Sequence, residues 1–304
     1  MLENRIKNYL LLHLIVFIWG FTAILGALIS ISAISLVWYR MSLATVFILI
    51  YFLFKKKSLK VDKKGVFKFI FTGTIIALHW IFFFKAIKVS NVSVALVTMS
   101  TGAFFVSIIE PIFFKRRIRP LEMVLGLIVI LGLYIIFSFE NQYKMGIIYA
   151  IISSSLSALF SVLNGLFIKK YQANTISLYQ LFFGAVFVTV YLFFTNGFSS
   201  SLFILPNIEW FYLLVLSSIC TAYAFIISVK VMKYLSPYTV MLTVNLEPIY
   251  AIVLALFIFG DKEKMNPEFY LGAFIVLFVV LLNGIIKNRV AIKNKIINKN
   301  VRKK

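Results

Sequence analysis

Cysteine and histidine are almost absent from this sequence of 304 residues. Cys220 is the single cysteine, so no disulfide can form within the chain, and a cysteine-based metal site is not expected. The two histidines, His13 and His79, lie in separate apolar runs and do not supply the cluster of ligands that a metal ion requires. We therefore predict that the protein binds no metal and no cofactor.

Sequence signatures of nucleotide-driven pumps and of common hydrolases are also missing. The chain contains no Walker-type phosphate-binding loop, no GxSxG, no HExxH and no selectivity-filter signature. These absences argue against ATP-driven transport by this chain alone. They also lead us to predict that the protein is not an enzyme.

Acidic residues are scarce, since Asp and Glu number 10 against 31 Lys and Arg, which gives a net charge of +21 at pH 7. Charged residues make up only 13% of the chain, whereas hydrophobic residues make up 62% and the mean hydropathy is +0.99. A soluble domain of this length cannot bury so much apolar side chain, so the composition indicates a polytopic membrane protein. The basic residues lie between the apolar runs and in the C-terminal tail, which is typical of membrane topology signals, and we predict no nucleic-acid partner.

Long apolar runs fill almost the whole chain. A helix needs about 20 apolar residues to cross the hydrocarbon core of a bilayer, and runs this continuous predict helices. Short loops separate the runs, so we expect one all-α membrane domain with ten transmembrane helices. The predicted spans are 10–29, 34–54, 66–84, 91–114, 121–139, 146–168, 176–195, 209–229, 236–259 and 268–286.

The basic residues predict the orientation of the ten spans. With a cytoplasmic N-terminus, 25 Lys and Arg residues fall on the cytoplasmic side, counting Lys68 at the cytoplasmic end of the third span; five fall in outside segments, and Arg40 lies deeper within a span. Cytoplasmic loops carry an excess of Lys and Arg, so both termini are predicted to be cytoplasmic. We expect a multi-pass protein of the inner, cytoplasmic membrane. Residues 288–304 form a basic cytoplasmic tail, which we interpret as a topology anchor against anionic lipid.

The two halves of the chain resemble each other. The run at 34–54 matches 175–194 at an offset of 140, and the run at 83–96 matches 228–242 at an offset of 145. Chance similarity among apolar segments is the alternative, but matching offsets over several spans favour a true repeat. Each half contains five spans, an odd number, so the second half must cross the membrane in the opposite sense. We therefore predict two inverted five-helix repeats.

The predicted domains are the first repeat at 1–140, the second repeat at 141–287 and the tail at 288–304. Halves related by a pseudo-two-fold axis in the membrane plane can exchange conformations, which opens a central site first to one side and then to the other. We therefore expect a substrate to bind near the midplane, where the halves meet, and to cross by alternating access.

Three segments resemble the drug/metabolite transporter superfamily, and in particular its EamA-type ten-helix carriers. They are FIWGFTAILG (17–26), SLVWYRMSLA (35–44) and MKYLSPYTVMLTVNLEPIYAIVLALFIFGD (232–261). The last is similar to the family's pattern of a small-residue helix start, an apolar run, Glu-Pro and a terminal Gly-Glu, for which this chain has Gly-Asp. The resemblance extends over residues 8–286.

This resemblance implies a secondary transporter that moves a small organic metabolite, often an amino acid or a related compound, and commonly outward. In the fourth span the chain departs from the family pattern. It has Ala103 where family members often carry Pro, and Lys115-Arg116 where they often carry Gly-Glu. The resemblance therefore does not imply the local geometry of that span.

Arg40 is the strongest candidate for a substrate-binding residue. It lies within the second span, beyond Trp38 and Tyr39. Its guanidinium stays charged and its planar fork suits carboxylates, so it can bind an anionic group of a substrate or pair with a carboxylate of the protein. The alternative is that its side chain extends to the lipid headgroups.

Glu247 and Pro248 interrupt the ninth span. A charge at the centre of a membrane helix costs about 2.5–3.5 kcal/mol, and Pro in a helix interior costs about 3 kcal/mol in water. In one interpretation the pair is structural, and Glu247 is protonated or hydrogen-bonded to a neighbouring helix. In the other, the kink opens a polar notch where Glu247 contacts substrate or carries a proton. Thr243, one turn earlier, is predicted to share the face of Glu247, whereas Asn245 is not.

Several further side chains are candidates for the site. His79 and Trp80 lie in the third span, where a lone His is more often a partnered structural residue, with a proton or substrate role as the alternative. Glu110 joins Glu247 and Pro248 as a candidate for coupling or gating, although pairing with the basic cluster beside it is the favoured interpretation. The remaining substrate-binding candidates are Trp19, Asn164, Tyr223, Asn245 and Tyr250.

The sixth span carries a stripe of small polar residues. Ser153, Ser157 and Ser161 recur at every fourth position and so lie on one face of the predicted helix. We interpret the stripe as a packing face, with a binding face as the alternative. Asn164 lies one turn further along the same side, where it can line a cavity.

Two other function classes are compatible with the sequence. A lipid or lipid-linked sugar flippase would work by a related mechanism, with a laterally open groove. A membrane-embedded lipid-modifying enzyme would need clustered His or Asp residues near one interface, and the chain offers two His residues in different spans. For a transporter we expect a small-molecule substrate and membrane lipids as partners, and either a monomer or a homodimer.

Overall fold

The computed structural model describes residues 2–56, 58–117 and 120–279, together with the isolated positions 282 and 286. Helices dominate this part of the chain, and no strand occurs in it. The prediction of an all-α protein is therefore confirmed. The predicted basic tail at 288–304 lies outside the described residues.

The first half of the chain folds into five membrane spans, of which the fourth is broken in two. Its helices are α1 (Leu2–Leu28), α2 (Ala33–Phe54), α3 (Lys63–Val89), α4 (Val92–Met99), α5 (Gly102–Phe113) and α6 (Pro120–Phe139). The second half repeats this order, with one short extra helix in a loop and with a π-helix in its third span. Its helices are α7 (Lys144–Phe167), α8 (Ala173–Phe194), α9 (Ser200–Phe203), α10 (Asn207–Ser217), the π-helix (Ser218–Tyr223), α11 (Ala224–Val231), α12 (Pro237–Val244), α13 (Glu247–Phe259) and α14 (Pro267–Val279).

Eight of the ten spans are long and apolar enough to cross a membrane by length and composition. The fifth and tenth spans contribute shorter apolar helices, Val124–Phe139 and Pro267–Val279, within the described residues. The largest differences from prediction are at α1 and α3, whose polar ends continue the helix beyond the predicted 10–29 and 66–84. The predicted fold class, a bundle of ten transmembrane helices, is confirmed.

The fourth and ninth spans are broken at corresponding positions. α4 ends before Ser100 and Thr101, and α12 ends before Asn245 and Leu246, which lie 145 residues later in the chain. The sequence predicted a kink near the Glu-Pro pair of the ninth span but a continuous fourth span. The structure therefore adds a second break, and the two breaks are related by the repeat.

Different chemistry produces the two breaks. Pro248 has no N–H to donate to the carbonyl of Val244, so the helix cannot continue through it unchanged. The break in the fourth span has no proline. There the hydroxyls of Ser100 and Thr101 donate to carbonyls three or four residues back, at 3.2 and 2.8 Å, and offer the backbone alternative hydrogen bonds.

Each repeat supplies a buried carboxylate that caps the broken span of the other. Glu263 accepts the N–H groups of Val92 and Ser93, both at 2.9 Å, at the start of α4. Glu110 accepts the N–H of Tyr238 at 3.1 Å at the start of α12, and Tyr238 lies 145 residues after Ser93. A carboxylate at a helix N-terminus is favourable because it satisfies free N–H groups and opposes the helix dipole. The two caps lie at opposite ends of the bundle, as an inverted repeat requires.

The two repeats pack through corresponding helices. α3 packs against α7 and α8, and α10 with the π-helix packs against α1 and α2. α3 and α8 approach so closely that a Cβ at Gly73 would lie 2.5 Å from the carbonyl oxygen of Gln180, and one at Gly184 would lie 2.8 Å from that of Gly73. Trp80 and Phe225 are 145 residues apart in the sequence, and their ring centroids lie 6.0 Å apart. Such a contact between equivalent residues is expected beside a pseudo-two-fold axis.

Candidate substrate-binding cavity

A cavity of about 90 Å³ lies inside the bundle, between the two repeats and beside both helix breaks. At about 15 Å³ for each water molecule, it has room for on the order of six waters or for a small organic molecule. Eight of the predicted site residues line it: Trp19, Arg40, His79, Trp80, Asn164, Asn245, Glu247 and Pro248. The structure therefore brings most of the sequence candidates to one place.

Arg40 is buried in this cavity, with 2% of its surface exposed. Its Nε–H donates to the hydroxyl of Thr221 at 2.7 Å, and its guanidinium carbon lies 3.9 Å from the centre of the Trp80 ring. Nη1 has no hydrogen-bond partner, and no ion pair to Arg40 occurs among the described residues. The side chain therefore does not extend to the headgroups. It presents an unused N–H donor inside the protein, and its charge interacts with Glu247 across the cavity without an ion pair.

The partner of Arg40 lies on the π-helix, which the sequence analysis did not predict. Thr221 donates to the carbonyl of Leu216 at 2.6 Å, while its oxygen accepts from Arg40. In the same turn, the carbonyl of Cys220 accepts the indole N–H of Trp19 at 3.1 Å. A π-turn changes the angular position of the side chains around it, and such turns are frequent at functional sites. The one feature of the sequence that could have indicated this contact is a threonine within an apolar run.

Glu247 differs from the buried carboxylates elsewhere in the protein. It is partly buried at the start of α13 and lines the cavity, yet its carboxylate forms no ion pair or hydrogen bond with the described residues. Four other carboxylates each accept a backbone N–H group at a helix end or in a loop: Glu110, Glu140, Glu209 and Glu263. Those four carboxylates are held by backbone hydrogen bonds and the carboxylate of Glu247 is not. The geometry therefore favours the interpretation in which Glu247 lies in a polar notch and contacts substrate or carries a proton.

The break after α12 corrects the predicted placement of Asn245. A regular helix would have placed Thr243 on the face of Glu247 and Asn245 on another face. Because the helix is broken between them, Asn245 and Glu247 both line the cavity. Thr243 instead donates its hydroxyl proton to the carbonyl of Thr239 at 3.0 Å. The prediction that Asn245 and Glu247 do not share a face is therefore wrong.

Five buried polar atoms on the cavity wall have no partner in the described structure. They are Thr22 Oγ1, Arg40 Nη1, Ser161 Oγ, Asn164 Nδ2 and Asn245 Nδ2. Buried polar groups are nearly always hydrogen-bonded, because leaving one unsatisfied costs about 1–3 kcal/mol. Their concentration around one cavity, together with the unbonded Glu247, indicates that the cavity takes a polar occupant.

His79 is held by Ser153 on the neighbouring α7. Its Nδ1 lies 2.9 Å from the Ser153 carbonyl oxygen and 2.8 Å from the Ser153 hydroxyl, which donates to the His79 carbonyl at 2.8 Å. The imidazole ring packs 5.3 Å from Phe160. These contacts agree with the structural interpretation of His79. Ser157 and Ser161, from the same stripe as Ser153, line the cavity, and the Ser157 hydroxyl also lies 4.0 Å from Met241 Sδ on α12.

Comparison with known proteins identifies the family. The model of the EamA-like transporter family matches residues 6–138 and again residues 144–285. The chain belongs to the EamA-like transporter family. An uncharacterized transporter of Archaeoglobus fulgidus is 23% identical over 285 residues, which cover 91% of this chain and 96% of that relative. A chain of known crystal structure aligns with a TM-score of 0.67 at 14% identity over 90% of this chain and 97% of its own length, and this likeness shows the fold. The protein is thus a multi-pass membrane transporter.

Three candidate residues of this EamA-like transporter lie away from the cavity. Tyr223 is 43% exposed and lines a separate groove on the side of the bundle. Tyr250 packs edge-to-face against Phe17, with ring centroids 5.5 Å apart. Glu110 caps α12 and lies 3.6 Å from Nη2 of Arg116, in agreement with the predicted pairing to the basic cluster. None of the three lines the cavity that holds Arg40.

Gln180 is a buried polar residue of the transporter that the sequence analysis overlooked. It lies 140 residues after Arg40, and a tyrosine precedes both residues, so Gln180 is the counterpart of Arg40 in the second repeat. Its amide nitrogen donates to Thr72 Oγ1 at 2.8 Å and to Asn164 Oδ1 at 2.7 Å. The two repeats therefore place a cation on one side and a neutral amide on the other. The offset of 140 residues between corresponding positions of the two repeats could have identified Gln180 from the sequence.

Loops at the two membrane faces tie one repeat of the transporter to the other. On the face with most of the basic residues, Asp62 accepts from Lys170 Nζ at 2.9 Å and from the Tyr171 hydroxyl at 2.8 Å. These bonds lower the pKa of Asp62, and the bond with Asp62 raises the pKa of Lys170. On the opposite face, Glu209 accepts from the N–H and the hydroxyl of Ser30, both at 3.0 Å. Each contact joins the loop after the first span of one repeat to the start of the third span of the other.

Proposed function

We propose that the protein is a secondary transporter that moves a small organic metabolite, an amino acid or a related compound, outward across the cytoplasmic membrane by alternating access. The observation that carries this proposal is the unpaired Nη1 of buried Arg40 in the same cavity as the unbonded carboxylate of Glu247. Each charge is unfavourable inside a membrane protein unless a partner compensates it. Arg40 and Glu247 interact across the cavity but form no ion pair, so a substrate with charges of both signs would pair with each of them at contact distance.

The two charged groups suit the two ends of an amino acid. The guanidinium of Arg40 can donate to a carboxylate from its terminal nitrogens, because Nε is already committed to Thr221. Glu247 can accept the substrate ammonium group, and it can hold a proton when the cavity is empty. Exchange of a proton for a cationic group at one carboxylate would couple transport to a proton gradient.

The remaining wall of the cavity suits an apolar or aromatic body. Ligand sites in proteins are mostly apolar, and a few polar groups fix the orientation of the ligand. The aromatic residues on this wall are Trp19, Trp80, Phe83, Phe160 and Phe225. The unpaired amide nitrogens of Asn164 and Asn245 add hydrogen-bond donors beside the charged pair.

The contacts at the two faces support alternating access. The Asp62–Lys170 bond and the Glu209–Ser30 bonds join equivalent elements of the two repeats at opposite ends of the bundle. Opening of the cavity towards one face would break the contact at that face, while the contact at the opposite face stays intact. The helix breaks in the fourth and ninth spans lie beside the cavity and give each repeat a point at which to bend.

The orientation in this proposal follows the positive charges. With both termini in the cytoplasm, 25 Lys and Arg residues lie on the cytoplasmic side and five lie outside. The face that carries Asp62 and Lys170 is then cytoplasmic. A cysteine-labelling map of loop positions from each side of the membrane tests this assignment directly.

Flux from proteoliposomes tests the function. Vesicles that contain the full-length protein are loaded with a mixture of labelled amino acids and related metabolites, and release is followed with and without a proton gradient. We expect release of a specific solute by the wild-type protein and by Arg117→Gln, which changes an exposed arginine outside the cavity, but not by Arg40→Gln. Movement of lipid between leaflets without release of any soluble solute would contradict the proposal in favour of a flippase. Chemical modification of a lipid would contradict it in favour of an enzyme.

A further inference from the structure

A second concave surface, here named the basic groove, opens on the side of the bundle. Its volume is about 860 Å³, and it runs between α2, the start of α8, and the π-helix with α11. The residues that line it and the residues that line the central cavity are two separate sets. The basic groove is therefore distinct from the proposed substrate site.

The deeper part of the basic groove is apolar and extends over about one leaflet of a bilayer. From Ser218 to Lys230 the chain advances by about 12 residues, or about 18 Å at about 1.5 Å for each residue. Half of a hydrocarbon core is about 15 Å thick. The apolar stretch is lined by Phe47, Ile48, Tyr51, Ala222, Tyr223, Ile226 and Ile227. Its length and surface match one acyl chain.

The other end of the basic groove is positively charged. Lys230 and Lys233 are exposed there, and neither forms an ion pair with the described residues. Lys169 and Lys170 also line the groove, but the Lys169 ammonium lies 4.6 Å from the centre of the Phe114 ring, and Asp62 compensates the charge of Lys170 at 2.9 Å. No carboxylate is among the described residues that line the groove. Lys230 and Lys233 therefore offer two uncompensated positive charges at the mouth of an apolar channel.

We propose that the basic groove binds one anionic phospholipid, with its phosphate at Lys230 and Lys233 and one acyl chain along the apolar stretch. A small soluble anion would leave the apolar stretch unfilled, and a lipid without net charge would leave the two lysines uncompensated. The orientation in the proposed function places this face in the cytoplasm, where the leaflet carries anionic lipid that attracts basic residues near the membrane.

The π-helix connects the basic groove to the central cavity. Its residues Ala222 and Tyr223 face the groove, whereas Cys220 lines the cavity and Thr221 holds Arg40. A bound acyl chain would therefore pack against the same turn that positions the guanidinium. This also accounts for the exposure of Tyr223, which the sequence analysis had assigned to the substrate site.

Native mass spectrometry of the purified full-length protein tests the proposal without reference to transport. The protein is titrated with phosphatidylglycerol or with phosphatidylcholine of the same acyl chains. We expect one tightly bound phosphatidylglycerol and a preference over phosphatidylcholine. At about fivefold for each lysine, Lys230→Gln/Lys233→Gln is expected to reduce that preference about 30-fold. Lys63→Gln/Lys64→Gln, a pair of exposed lysines on the same face outside the groove, is the matched control and is expected to keep it.

A second variant tests the apolar half of the groove. Ile226→Trp fills the acyl channel and leaves both lysines in place, so it is expected to weaken the binding of phosphatidylglycerol and of phosphatidylcholine alike. Soluble glycerophosphoglycerol is expected not to compete with the lipid. Equal binding of the two lipids by the wild-type protein, an equal loss in the control pair, or competition by the soluble headgroup would each overturn the proposal.

Discussion

Arg40→Gln separates a binding role of the guanidinium from a structural one. In the folded protein the guanidinium gains a hydrogen bond to Thr221, about 1.5–3 kcal/mol, and a cation–π contact with Trp80, about 0.5–2 kcal/mol. A charge at the centre of a membrane helix costs about 2.5–3.5 kcal/mol. These contributions nearly cancel. We therefore expect the free energy of unfolding of Arg40→Gln to lie within about 2 kcal/mol of the wild-type value.

Substrate binding is expected to respond far more strongly than stability. Removing one member of a buried pair of opposite charges costs about 3–5 kcal/mol, because the other charge is left uncompensated. Since about 1.4 kcal/mol corresponds to a factor of ten, the affinity for a substrate with a carboxylate is expected to fall at least about 100-fold. Glutamine is also the residue at the corresponding position of the second repeat, Gln180.

Both quantities can be measured on the same purified protein. Thermal unfolding in detergent reports stability, and tryptophan fluorescence reports binding, because Trp19 and Trp80 lie on the cavity wall. Arg117→Gln removes an equal charge from an exposed site and is expected to change neither quantity. Unchanged affinity in Arg40→Gln would refute the binding role. If Arg40→Gln lowers the unfolding midpoint strongly as well as the affinity, the guanidinium is needed for the stability of the fold.

Glu247, Thr221 and Asp62 give three further tests. Glu247→Gln is expected to leave the protein inserted and to remove the pH dependence of flux in proteoliposomes, and an unchanged pH profile would mark Glu247 as structural. Thr221→Val keeps the shape but removes the acceptor for Arg40, so substrate affinity is expected to fall about tenfold by fluorescence titration, and full affinity would count against that contact. Asp62→Asn removes the bond with Lys170. Because this bond lowers the pKa of Asp62 below its ordinary value of 3.8, its stabilisation is present above that pH and is lost as the pH falls further. The unfolding midpoints of wild type and Asp62→Asn are expected to differ slightly at neutral pH and to converge in acid, and a difference that persists there would contradict this assignment.

Hydropathy and charge were sufficient to predict the ten spans, because an uninterrupted apolar run has few alternatives to a membrane helix. They also led to Arg40 and Glu247, since a charge within such a run is expensive and therefore conspicuous. Glu110 carries the same Glu-Pro pattern as Glu247, but it lies in the last turn of α5 and accepts the N–H of Tyr238, whereas Glu247 begins α13 at the break within the ninth span. Identical dipeptides thus differ in role because of their depth in the span.

The features that the sequence did not predict depend on backbone geometry. The break at Ser100 and Thr101 has no proline, and it depends on hydroxyl groups that compete for backbone carbonyls. The π-helix that holds Thr221 leaves no pattern in an apolar run. Asn245 reaches the cavity only because the helix is broken before Glu247. Each of these depends on the path of the backbone and on its hydrogen bonds, which hydrophobic periodicity along one helix does not encode.

Labelling of Cys220 tests the central claim most directly, namely that one cavity between the repeats opens alternately to the two faces. Cys220 is the single cysteine of the chain and lines the cavity beside Arg40. The wild-type protein therefore needs no substitution for this experiment, and Cys220→Ser is the negative control. A small charged thiol reagent is added to right-side-out or to inverted vesicles, with and without substrate. The account predicts that Cys220 reacts from both sides and that substrate slows both reactions. Reaction from one side alone, or reaction that substrate does not affect, would contradict it.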